Sequence, residues 1–172
     1  MGGSKPVIVN PPTDGQGHPD AGWHNAVCCE VIDLGFKDTP YGLREHVRFL
    51  FQLEARNPKT GRRWIIAMDL RKTLNAQSRL RRFLETWRAR SLWPDELNTG
   101  INLSRWEGAG AKVFIALLPA RPGFQYPLAV IREVVPLEPG VVVVPEDYRA
   151  LVWSAARRRA RQVVKEGSDG GE

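Results

Sequence analysis

The sequence predicts a mainly β fold of five strands, with one helix between the third and the fourth. Three observations predict it. Val47, Phe49, Phe51 and Leu53 alternate with His46, Arg48, Gln52 and Glu54; this period of two belongs to a strand with one buried face, and Leu50 is the exception to it. At Leu80, Phe83, Leu84 and Trp87 the apolar spacing becomes i, i+3, i+4, i+7, one stripe of a helix. Residues 111–118, AKVFIALL, and residues 126–135 then form two further apolar runs of strand length.

Taken in order, residues 1–21 hold four glycines and four prolines with scattered Asp and Asn. Such a segment buries too little apolar surface to offset its ordering entropy, so it reads as a flexible arm. Residues 23–34 are β-rich, and Gly35 is expected to end that strand, with a polar turn following through Lys37, Asp38, Pro40 and Gly42. The alternating strand of residues 44–56 comes next. Asn57-Pro58-Lys59-Thr60-Gly61 has hairpin-turn chemistry, and the chain returns as a third strand over residues 62–70. Trp64 shares a strand face with Ile66, Met68 and Leu70 and is assigned to the core.

Ser78 is placed to cap the helix, whose other face carries Arg79, Arg81, Arg82 and Arg88. Residues 94–97 and 103–106 read as short helical turns. Pro127 marks the edge of the last strand, and Pro136, Pro139 and Gly140 mark a boundary. Beyond the short run 141–144, Pro145-Glu146-Asp147 opens a second helix, with proline in the first turn and acids at the positive end of the dipole. The expected organisation is an arm at 1–21, the β domain at 22–137, an extension with a C-terminal helix at 138–166, and an unordered tail at 167–172.

The 172 residues suit one domain with tails, and 42% hydrophobic residues supply a core. The net charge of +6 favours polyanionic partners. Cys28 and Cys29 are adjacent, so their side chains point to opposite faces of a strand and an ordinary disulfide between them is not expected. Two reduced thiols, at least one of them in the core, point to a reducing, cytoplasmic compartment. No run of 18 apolar residues is present and the N-terminus lacks a signal-peptide pattern, so no membrane is expected among the partners.

Strand, strand, strand, helix, strand, strand is the connectivity of the five-stranded oligonucleotide/oligosaccharide-binding (OB) barrel, in which the helix stripe plugs one end. The competing architecture is an α+β sandwich with the helix on an open sheet. Three pieces of sequence carry a resemblance. They are Val31-Ile32-Asp33-Leu34-Gly35; Thr73-Leu74 and Ser78-Arg79-Leu80-Arg81 with Leu84-Glu85-Thr86-Trp87-Arg88; and Asp95-Glu96-Leu97 with Asn102-Leu103, Gly108 and Lys112-Val113. On these, residues from about 26 to 137 resemble phage and prophage replication-region proteins with an OB-type single-stranded-DNA-binding fold. The chain departs from them at Ala89, where such sequences commonly carry Gly, and at Trp93. The resemblance implies a role in phage DNA replication or recombination, in a bacterial or phage-infected cell.

Single-strand binders pair a basic groove with aromatic platforms. Between Arg56 and Arg90 lie eleven Lys/Arg and two acids, Asp69 and Glu85. On an OB barrel the ligand crosses the outer face of strands two and three between the flanking loops. The nucleic-acid-binding candidates are therefore His46, Arg48 and Arg63 on that face and Lys59 and Arg62 at its rim. Lys37 and Tyr41 come from the first loop, and Arg121, Phe124 and Tyr126 from the last. The bland alternatives are a solvated helix face for Arg79, Arg81 and Arg82, and simple loop closure for Phe124 and Tyr126.

No catalytic motif stands out. The three His and two Cys lack metal-ligand spacing, and there is no phosphate-binding G-x-x-x-x-G-K-[ST] loop and no G-x-S-x-G. The expectation is a binding protein without cofactor or metal, whose partners are single-stranded nucleic acid, replication or recombination proteins, or a second copy of itself. The rival class is a protein–protein adaptor using the barrel and the C-terminal helix, whose Tyr148, Leu151, Val152, Trp153 and Ala155 are apolar. Arg157 to Arg161 fit a solubilising helix end, a second anion patch or a partner surface equally well.

Overall fold

The computed structural model describes residues 17–124 and 126–146. These form one antiparallel sheet of five strands: β1 (Gly22–Thr39), β2 (Gly42–Arg56), β3 (Arg63–Arg71), β4 (Gly110–Leu118) and β5 (Leu128–Val135). The order across the sheet is β3-β2-β1-β4-β5. Helix α1 (Arg79–Arg88), the short α2 (Pro94–Thr99) and a 3-10 turn (Leu103–Trp106) lie between β3 and β4. The two outermost strands, β3 and β5, approach each other, and α1 packs against both. The second expected helix from Asp147 onward and the tail lie outside the described residues; Pro145 and Glu146, expected in its first turn, are described and are not helical.

The period-two strand is buried on the predicted face: Val47, Phe49, Phe51 and Leu53 are all in the core. Helix α1 buries Leu80, Phe83, Leu84 and Trp87 against them, with ring centroids 4.8 Å apart for Phe49–Phe83 and 5.3 Å for Phe51–Trp87. Trp106 closes the cluster 4.6 Å from Trp87. Each such ring contributes about 1.5–3 kcal/mol by burial alone. Trp64, Ile66 and Leu70 complete the core from β3.

β1 departs from the sequence expectation. It does not stop at Gly35 but continues to Thr39, and only Pro40 and Tyr41 separate it from β2. Gly35 adopts φ +66° and its N–H donates to the Asp33 carboxylate at 2.9 Å. The register slips there, with Asp33 opposite Val47 and Gly35 opposite His46. The glycine is thus a bulge that bends the strand, not a terminator. Lys37 and Asp38, expected in a turn, are strand residues.

Ser78 caps α1 as anticipated, accepting from Arg81 N–H at 3.2 Å. The helix ends on Ala89, which holds left-handed φ 55°, ψ 33°. A non-glycine residue in that region costs roughly 1–2 kcal/mol, which glycine avoids at the cost of a more flexible unfolded chain. Ala89→Gly is therefore expected to stabilise the fold by about 0.5–1 kcal/mol. A lower denaturant midpoint than wild type would show the strain account to be wrong.

The arm expected over residues 1–21 is packed at its end. Gly17 and Pro19 are buried, and a Cβ at Gly17 would lie 2.4 Å from the Tyr126 ring. The absence of a side chain is what admits that ring. Cys28 and Cys29 are both buried, and only Cys28 belongs to the main core cluster. Burial pushes both thiols up, that of Cys29 to about 12, so neither is a thiolate at neutral pH.

Candidate nucleic-acid interface

The core strands leave their other face outward, and alternation decides which residues stand on it. Along β2 these are Arg44, His46, Arg48, Leu50 and Gln52. Pairing sets Arg71 across from His46, Asp69 from Arg48 and Ala67 from Leu50 on β3, and Lys37 across from Arg44 on β1.

This face has two halves. Beyond β5 the chain does not leave the sheet; residues 137–146 run back across its outer face as a strap. Leu137 covers Gly110, Glu138 pairs with Lys112 at 2.9 Å, Arg63 donates to the Val144 carbonyl at 2.7 Å, and Glu146 reaches β2 and β3. Gln52 meets the Glu146 backbone twice, donating to its carbonyl at 2.5 Å and accepting from its N–H at 2.7 Å. Both oxygens of the Glu146 carboxylate accept from Arg56 Nη2, at 2.8 and 2.7 Å, and Arg63 Nη2 lies 3.1 Å away. The hydrogen bond from Arg56 in particular holds the Glu146 carboxyl below the usual glutamate range. The outward Leu50, which breaks the sequence alternation, is buried, as are Val27, Cys29 and Val143, and none of the four belongs to the main core cluster.

The other half, toward the β1–β2 hairpin, lies beyond the strap's contacts. Arg48 is nevertheless buried, its Nε and Nη2 donating to the Asp69 carboxylate at 2.6 and 2.8 Å, and Lys37 joins at 3.4 Å. Burial works to raise the Asp69 carboxyl, but the Arg48 hydrogen bonds and the charges of Arg48 and Lys37 outweigh it, so the group titrates below the usual aspartate range. His46 Nδ1 is 2.9 Å from the Arg44 carbonyl, which can only accept, so that nitrogen carries the proton, and Nε2 has no partner among the described residues. Arg44 has a buried Nε without a partner among the described residues, and Arg71 is exposed and forms no ion pair among them. Tyr41, 84% exposed, stands at the hairpin tip with Phe36 exposed nearby.

No known protein family, curated protein or solved structure matches this chain.

The register therefore divides the sequence-nominated residues between the two ends of the sheet. Lys37, Tyr41, His46 and Arg48 gather at the hairpin end. Lys59, Arg62 and Arg63 lie at the other, together with Arg121, Phe124 and Tyr126 of the β4–β5 loop, because β4 ends where β1 begins and β2 closes. Lys59, Arg62, Arg121 and Phe124 are exposed. Arg63 is turned inward to the strap, and Tyr126 sits half-buried on Gly17. Arg48 is a structural ion-pair partner first and a surface cation second. Sequence reasoning left out Arg44 and Arg71. The same alternation that selected His46 and Arg48 also selects Arg44, whereas Arg71 needs the β2–β3 register.

Proposed function

We propose that this protein is a non-catalytic binder of single-stranded nucleic acid, with DNA as the ligand, acting in replication or recombination of the phage type in a bacterial or phage-infected cytoplasm. In this reading the sheet curls into an OB-type barrel, β3 closing toward β5 around α1. The observation that carries the reading is the row of Lys37, Arg44, His46, Arg48 and Arg71 on one outward stretch of three adjacent strands, with Asp69 between them and Tyr41 exposed at its edge. Cations there neutralise phosphates, and the ring offers a stacking platform. The resemblance of the helix region to phage replication proteins supports DNA over RNA.

Fluorescence anisotropy of a labelled oligonucleotide, single-stranded against duplex, across a salt series tests this. Tight single-strand binding with a steep salt slope is expected. Arg71→Ala should lower that slope by about 0.7, the contribution of one phosphate contact on a single strand. Tyr41→Ala should cost about 1 kcal/mol of affinity or somewhat more, from lost stacking. Equal weak binding to both forms would reduce the reading to generic charge attraction, and no binding at low salt would turn the search to a protein partner.

A further inference from the structure

Arg56 and Arg63 are directly opposite each other on β2 and β3. Two like charges in that relation destabilise a strand pair unless an anion lies between them. The anion is Glu146, which offers one charge to two guanidinium groups. The arrangement leaves donors over: Arg63 Nε is buried without a partner among the described residues, and Lys59 and Arg62 of the adjoining turn are exposed and form no ion pair among them. The Glu146 side chain is itself 44% exposed, so a competing anion can reach its partners. The strap is held there shallowly, Val143 alone being buried between the exposed Val142 and Val144.

We infer that Arg56 and Arg63 form a phosphate subsite of the strand-binding face for which Glu146 is the resident competitor, so that a nucleotide phosphate enters as the strap releases its carboxylate. This rests on the single-strand reading above and extends it. A phosphodiester carries the same single charge as the carboxylate, and its oxygens can engage Arg63 Nε as well as the Nη2 atoms. Displacing the strap also joins the two halves of the face, linking Arg56, Arg63 and the Lys59–Arg62 turn to the cations at the hairpin end. The strap thereby sets a threshold. A short strand engages only the hairpin half, and a longer one gains the second half by paying out Glu146.

The test is the affinity of the full chain for a labelled oligothymidylate across a salt series, with Glu146→Gln compared against Glu138→Gln. Both substitutions remove one strap carboxylate, but Glu138 faces Lys112 at the strap's other end. Glu146→Gln is expected to tighten binding about five- to tenfold at low salt and to steepen the salt slope by about 0.7 or more, as one or two further phosphates are neutralised. Glu138→Gln should change affinity about twofold at most, by net charge alone. Removing the subsite in Glu146→Gln with Arg56→Ala and Arg63→Ala should abolish the gain. Wild-type binding that Glu146→Gln leaves unchanged, or that both glutamine variants raise equally, overturns the competitor role while leaving the single-strand reading standing. Absence of binding in wild type and every variant overturns both, and binding that emerges only in Glu146→Gln establishes the competition.

Discussion

Trp87→Ala is expected to lower the unfolding free energy by about 4 kcal/mol, the upper part of the range for removing a large buried aromatic. Trp87 is 4% exposed and touches Phe49, Phe51, Phe83 and Trp106, so its loss leaves a void lined by four rings that cannot all collapse inward. Its indole N–H also donates to the Gly110 carbonyl at 2.8 Å, tying the helix to the start of β4. Alanine therefore leaves an acceptor without its partner in addition to the cavity. Trp87→Phe separates the two contributions: it retains an aromatic ring and loses the hydrogen bond, and should cost about 1–2 kcal/mol. Urea unfolding of both variants measures this. A loss below about 1.5 kcal/mol for the alanine variant would mean that α1 does not seal the sheet as described.

The second large effect is at Asp69. Its carboxylate neutralises Arg48, whose side chain is 10% exposed, and Asp69→Ala leaves that guanidinium buried without its counter-ion. Fully buried pairs broken this way lose about 3–5 kcal/mol; because Asp69 is 24% exposed and water can partly replace it, about 2–3 kcal/mol is expected. The pair also imposes a pH dependence whose sign follows from the depressed carboxyl. Its stabilisation is fully present above the unfolded aspartate value, about 3.9, and is lost as pH falls through the lower folded value. Wild type should therefore lose stability below about pH 4 more steeply than Asp69→Asn, which has no such proton to take up. Parallel acid limbs for the two proteins would show that Asp69 and Arg48 are not coupled.

The same ion pair bears on the proposed interface. Arg48 and Lys37 are drawn toward Asp69, so the cations freest to meet a phosphate are Arg71, which has no such partner among the described residues, and Arg44 beside it. A basic face is thus graded by its own carboxylate: the inner cations hold the sheet together and the outer ones remain for a ligand. Glu146 plays the corresponding part at the other end, on Arg56 and Arg63, but from a strap and not from a strand. Displacing a strap disturbs far less structure than breaking a strand pairing.

The local periods of the chain were enough to determine the buried faces of β2 and α1. Alternation at Val47–Leu53 and the 3.6-residue stripe at Leu80–Trp87 each commit a backbone geometry and a buried face at once, because a side chain's direction follows from its position in the repeat. The capping Ser78 and the 57–61 turn were legible for the same reason, their chemistry being local. Gly35 was misread since a glycine that ends a strand and one that bulges it look alike until a partner strand shows whether pairing resumes beyond it. The candidate site was legible only in part. Alternation identifies outward cations on one strand, but only the register says that Arg71 faces His46, that Asp69 captures Arg48, and that the hairpin and β4–β5 loop residues stand at opposite ends of the sheet. The strap was invisible in the sequence. Its contacts at Glu146, with Gln52 and Arg63, join residues more than eighty positions apart, and no local repeat records which distant segment a face will be covered by.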